Sequence, residues 1–149
     1  MTNQEQIINH LEYLGYSMEI SNVNNDWIMG TKSGYPFIMV KVSDDGIRVS
    51  SYYNTNQNVK SEDRQFLEYL NELNSKSGIC TFYTNEDLEL NFSCSYMGLY
   101  DKNRFSFFIN LWEYDVTTIM DSISSTMHFL YNSDEITPLV SEGNTNAYA

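Results

Sequence analysis

The chain has 149 residues, enough for one domain, and its 42% hydrophobic and 15% aromatic content supplies a core of the size that buries about 70% of an unfolded surface. Its formal charge is −12 and its eight Lys and Arg are scattered (Lys32, Lys41, Arg48, Lys60, Arg64, Lys76, Lys102, Arg104), which argues against nucleic-acid and anionic-membrane partners. No apolar run approaches the roughly 18 residues of a membrane span, the opening MTNQEQ has no basic leader segment, and two cysteines are too few for a disulfide scaffold, so a cytoplasmic protein with reduced thiols is expected.

Thr2 with Glu5 forms a capping box, Ile7, Ile8, Leu11 and Leu14 recur at helical spacing, and Gly15 stops the run, so a helix is expected over about 3–15. Met18–Ile20 is a brief segment of edge character. Asp26–Thr31, Phe37–Val42 and Ile47–Tyr53 read as three antiparallel strands, the last two joined by the turn Ser43-Asp44-Asp45-Gly46. Asn54–Lys60 is polar and loop-like. Ser61 can cap a second helix with a stripe of Phe66, Leu67, Leu70 and Leu73, and Gly78 lies where a left-handed terminating residue is expected. Ile79–Thr84 and Leu88–Ser95 read as a hairpin around Asn85-Glu86-Asp87, and Arg104–Tyr114 as a further long strand. Val116, Met120, Ile123, Met127 and Leu130 mark a third helix over 115–131. The expected fold class is α+β, one antiparallel sheet with three helices in the order α-β-β-β-α-β-β-β-α, spanning 1–131. Residues 132–149, polar and small apart from Ile136, Leu139 and Val140, read as a weakly ordered tail.

Leu70-Asn71-Glu72-Leu73-Asn74 followed by Ile79-Cys80-Thr81-Phe82-Tyr83 ends the second helix in an Asn-x-x-Asn step before a hairpin with an acidic turn. With Leu88-Glu89-Leu90-Asn91-Phe92, Phe105–Trp112 and the closing helix, this layout resembles the YbjN-like family, related in fold to type III secretion chaperones. The chain departs from that pattern at Gly98-Leu99-Tyr100-Asp101, where the family is richer in glycine. The resemblance implies an α+β, protein-binding or chaperone-like scaffold, often dimeric, without a catalytic centre.

The residues point the same way. There is no G-x-S-x-G elbow, P-loop or H-E-x-x-H. His10 and His128, the only histidines, read as helix-face side chains with a satisfied nitrogen. Asp44-Asp45-Gly46 and Glu86-Asp87-x-Glu89 are turn compositions, short of the alternating ligands of a calcium loop. Neither metal nor cofactor is expected, and no enzymatic activity. Cys80 and Cys94 fall opposite each other in a hairpin centred on Asp87; buried thiols are the expected reading, with a cross-strand disulfide the alternative.

The faces of the strands carry the functional expectation. Arg104–Tyr114 read as a strand puts Phe105, Phe107, Ile109 and Leu111 on one side and Phe108, Trp112 and Tyr114 on the other. Phe37–Val42 is likewise apolar on both sides. Three helices cover one face of a sheet. The face bearing Phe37, Met39, Phe108 and Trp112 is therefore the expected protein-binding site, unless the third helix or the tail folds over it. The leading expectation is a non-catalytic adaptor or chaperone-like module, a homodimer or the binder of another protein. The alternative is an acidic immunity or inhibitor protein that neutralises a basic toxin, for which Glu62, Asp63, Glu68 and Glu72 are the main concentration of carboxylates.

Overall fold

A computed structural model of the protein describes residues 1–20 and 27–131. The first helix, α1 (Asn3–Tyr13), opens on the expected cap, with Thr2 Oγ1 accepting from the Glu5 N–H at 3.1 Å. It buries Ile7, His10 and Leu11 and is terminated by Gly15 at φ +103°, a conformation that costs glycine little. Four strands follow as an antiparallel meander: β1 (Ser17–Ile20), β2 (Trp27–Thr31), β3 (Ile38–Ser43) and β4 (Gly46–Tyr53). The segment read as a brief edge is thus a full edge strand. Phe37 stands just before β3.

A single helical turn, α2 (Asn58–Ser61), replaces the loop expected after β4, so Ser61 ends that turn rather than capping the helix beyond it. That helix, α3 (Asp63–Lys76), buries Phe66, Tyr69, Leu70 and Leu73, whereas Leu67, assigned to its stripe, is exposed. It ends on extended Ser77 at φ −66° and ψ 149°. Gly78 has no left-handed backbone; only Gly15, Gly34 and Gly98 have positive φ among the described glycines. The hairpin β5 (Thr81–Thr84) and β6 (Leu90–Met97) then completes a six-stranded antiparallel sheet in the order β1-β2-β3-β4-β6-β5. Its β5 margin is closed by α3. Asn74 Nδ2 donates to the Phe82 carbonyl at 2.9 Å, and the Phe82 N–H donates to Asn74 Oδ1 at 2.7 Å, where another strand would otherwise bond.

The α+β class holds, but one strand of the expected order does not. Residues 104–114 form helix α4 (Lys102–Tyr114), capped by Asp101, whose Oδ1 accepts from the Arg104 N–H at 2.9 Å. Phe105, Phe108, Ile109 and Trp112 are its buried residues, at the i, i+3, i+4, i+7 spacing of one helical face. The period-two reading failed because apolar residues occupy both registers; Phe107 and Tyr114, which alternation but not the helical stripe would bury, are exposed. The expected helix over 115–131 is divided. Asp115–Ile119 widens α4 into a π-helical turn, and a separate short helix α5 (Ser125–Leu130) buries Thr126 and Phe129 instead of Met127 and Leu130. The tail assignment over 132–149 lies outside the described residues.

The helices pack on one face of the sheet. Trp112 stacks on Phe92 at 5.4 Å between ring centroids, Phe105 and Phe108 meet Tyr96 at 5.7 and 5.5 Å, and Tyr53 Oη donates to the Val116 carbonyl at 3.1 Å. Val40, Val49 and Cys94 lie side by side across the sheet on that same face. All three are buried.

Candidate functional site

Strand alternation gives the sheet a second face, and no described helix overlies it. Register assigns its residues: Met29 opposite Met39, Met39 opposite Ser50, Trp27 opposite Lys41, Lys41 opposite Arg48, and Tyr52 opposite Asn91, with Tyr83 on the far strand also opposite Asn91. Trp27, Met29, Met39 and Tyr52 are each only half-buried, and Tyr83 is 41% exposed. The same alternation carries back to Phe37, whose ring meets Tyr52 edge-on at 5.0 Å.

Of the four residues expected to form the binding site, the structure therefore brings two to this side, Phe37 and Met39, and only Met39 is open there, Phe37 being buried at 7% exposure. Phe108 and Trp112 belong to α4 and are packed into the core on the opposite face, so they cannot share a surface with the first two. The open face instead gains Trp27, Met29, Tyr52 and Tyr83. Pairing the strands at 26–31 and 37–42 as a hairpin would have found Trp27 and Met29, because Met39 has to face one of them.

Two cations lie on the two central strands of this face. Lys41 and Arg48 are cross-strand neighbours, both exposed, and among the described residues neither has a carboxylate within ion-pair distance. The Lys41 ammonium lies 5.7 Å from the centroid of the Trp27 ring, and Arg48 donates to Ser93 Oγ at 3.3 Å. The only carboxylate on any described strand is Glu19, which lies on this same face at its β1 edge, opposite Met29 and two strands from Lys41.

Elsewhere the polar clusters serve the fold. His10 places Nδ1 2.8 Å from Tyr100 Oη and Nε2 3.0 Å from Ser106 Oγ, beside a cleft of about 390 Å³ that Met1, Tyr13 and Lys102 help to line. The Ser106 distance would suit a nucleophile and its base. However, the other nitrogen meets a hydroxyl and not a carboxylate, and burial together with the Lys102 charge lowers the His10 pKa, which disfavours the imidazolium. Asp115, fully buried, accepts from three consecutive N–H groups, those of Gly78, Ile79 and Cys80, at 2.7, 2.8 and 2.9 Å. Cys80 and Cys94 face each other across the β5–β6 hairpin as the spacing around Asp87 requires. The bonded Cys94 thiol, burial and the Asp115 charge all push the Cys80 thiol upward, away from the reactive thiolate. Among the described residues no three His, Cys, Asp or Glu side chains gather into a metal-holding set, and no helix is long and apolar enough to cross a membrane.

No family model and no curated protein matches the sequence. Among solved structures the fold is similar to YbjN from E. coli, a protein proposed to be a transcription regulator, with a TM-score of 0.63 at 14% identity over 84% of this chain and 92% of that one. The fold is thus YbjN-like.

Proposed function

We propose that this protein is a non-catalytic protein-binding module, a chaperone-like or regulatory adaptor, and that it binds through the open face of its sheet. The observation that carries the reading is an apolar band of half-buried Trp27, Met29, Met39 and Tyr52 on a face that no described helix overlies, in a domain whose helices have already built a core on the other side. Each large apolar side chain moved from water into an interface contributes roughly 1.5–3 kcal/mol. Four half-buried side chains can each gain about half of that, an amount comparable to the several kcal/mol lost with rigid-body freedom on association. The regulatory role proposed for YbjN, whose fold this chain shares, agrees with a binding function rather than a catalytic one.

The alternative of an acidic inhibitor has less behind it. Of the carboxylates around α3, Glu68 pairs with Arg64, Glu72 with Lys76 and Glu62 with His128, so most are already engaged within the chain. The deciding experiment is affinity capture from the native host with wild-type protein and with Met39→Glu. A folded variant, by circular dichroism, should lose the proteins that the wild type retains. Retention of the same proteins by both would place the binding surface elsewhere.

A further inference from the structure

The reading of the sheet face as a binding surface leaves its occupant open, and the charges on that face choose among the candidates. In a chain of net charge −12, the described strands set Lys41 and Arg48 side by side at one margin of the apolar band, while the one carboxylate they place on this face, Glu19, stands on β1 opposite Met29. Like charges directly opposite each other on neighbouring strands destabilise a sheet, and Lys41 and Arg48 are such a pair with no carboxylate in ion-pair distance among the described residues. We infer, on the premise that this face binds protein, that its occupant is an acidic, apolar segment of a different protein, whose carboxylates sit between Lys41 and Arg48 while its apolar side chains cover Trp27, Met29 and Met39.

The same pair disfavours a second copy of this chain as the occupant. A twofold contact through this face would bring the same patch of both subunits together and set these four cations against one another as apolar contact removes the water that screens them. An acidic segment turns the cost into a gain: the cross-strand repulsion is relieved, and the ion pairs form at the edge of an area that is losing water. Lys41 already lies near the Trp27 ring, so in an extended segment whose carboxylate binds it, the side chain two residues on, which shares its face, is the one able to reach that indole.

The test uses the full chain and three short synthetic peptides with serine at every second position and, between the serines, leucine alternating with glutamate, with glutamine or with lysine, so that both residue types share one face of the extended peptide. Binding is followed through the emission of half-buried Trp27, the other tryptophan, Trp112, being enclosed in the core. The glutamate peptide should bind about tenfold or more tighter than the glutamine one, the worth of one partly desolvated charge pair. The lysine peptide should bind most weakly, and the preference should shrink with added salt. The double variant Lys41→Gln, Arg48→Gln, whose changes are at exposed positions, should stay folded and bind all three alike. Equal binding of the three peptides by the wild type would overturn the acidic occupant and leave the apolar face standing as a binding surface. No movement of Trp27 with any peptide would overturn the inference, while the host-capture experiment judges the face by itself. A dimer in sedimentation that Met39→Glu dissolves would overturn it too, in favour of a second copy.

Discussion

The sheet has two faces made by one alternation. On one, Phe92 and Tyr96 meet Trp112, Phe105 and Phe108, and the rings are closed off from water. On the other, Trp27, Met39 and Tyr52 are similar in kind and size but stop half-exposed beside two cations that form no ion pair among the described residues. Residue type therefore does not separate core from surface in this protein. The difference lies in whether a helix arrives, and α4 arrives on one side only.

The comparison can be broken most sharply with the two tryptophans. Trp112→Ala should cost about 3–5 kcal/mol, the usual range for emptying a large aromatic site. Trp27→Ala on the open face should cost about 1 kcal/mol or less. Urea unfolding at constant slope measures both. Equal losses would mean that the face taken as open is core.

Next in size is the carboxylate that fastens α4 to the strand it helps cover. Asp115→Ala leaves three consecutive N–H groups without this acceptor, of which that of Cys80 is buried and those of Gly78 and Ile79 lie nearer to water, a stranded buried group being worth about 1–3 kcal/mol. A loss of about 3 kcal/mol is expected, since part of the segment can turn to water. Amide exchange at Gly78, Ile79 and Cys80 should quicken more than elsewhere. Unchanged protection at those amides would show that the helix is held on the sheet by apolar packing alone.

The smallest effect is a pH dependence on the covered side. Burial and Lys102 hold the folded His10 pKa below its ordinary value of 6.5, so the folded state binds fewer protons than the unfolded chain. Stability from this group is complete above about pH 6.5 and is lost as pH falls through that value toward the lower folded one. His10→Gln does not titrate there. The stability difference between wild type and variant should therefore drift against the wild type on acidification from about pH 7 to pH 5. A drift in the other direction would mean that the imidazolium is the form favoured by folding.

How much of this was legible in the sequence depended on whether a segment had one period or two. The capping box at Thr2 and Glu5, the α3 stripe and the Cys80–Cys94 register were legible because each rests on local chemistry or on a hairpin whose centre fixes its pairs. Residues 104–114 were not, because Phe105, Phe107, Ile109 and Leu111 satisfy a strand while Phe105, Phe108, Ile109 and Trp112 satisfy a helix. The cap at Asp101 was the deciding signal. The same ambiguity split the candidate site: Phe37 and Met39 were placed through strand alternation, which holds there, and Phe108 and Trp112 through alternation that does not exist. The cation pair at Lys41 and Arg48 stood in plain view but acquired meaning only through register, since separate positions become neighbours when β3 and β4 pair.

Asn74 has a consequence for how copies of this protein can add to one another. By occupying both the N–H and the carbonyl of Phe82 it gives the sheet a finished end, while among the described residues nothing bonds to the outer margin of β1. A sheet with a single free margin can extend once and then has none left. Edge-to-edge contact between two such molecules stops at a pair, whereas two free margins would propagate into a fibre. One asparagine in α3 thus sets an upper bound on polymerisation by strand pairing.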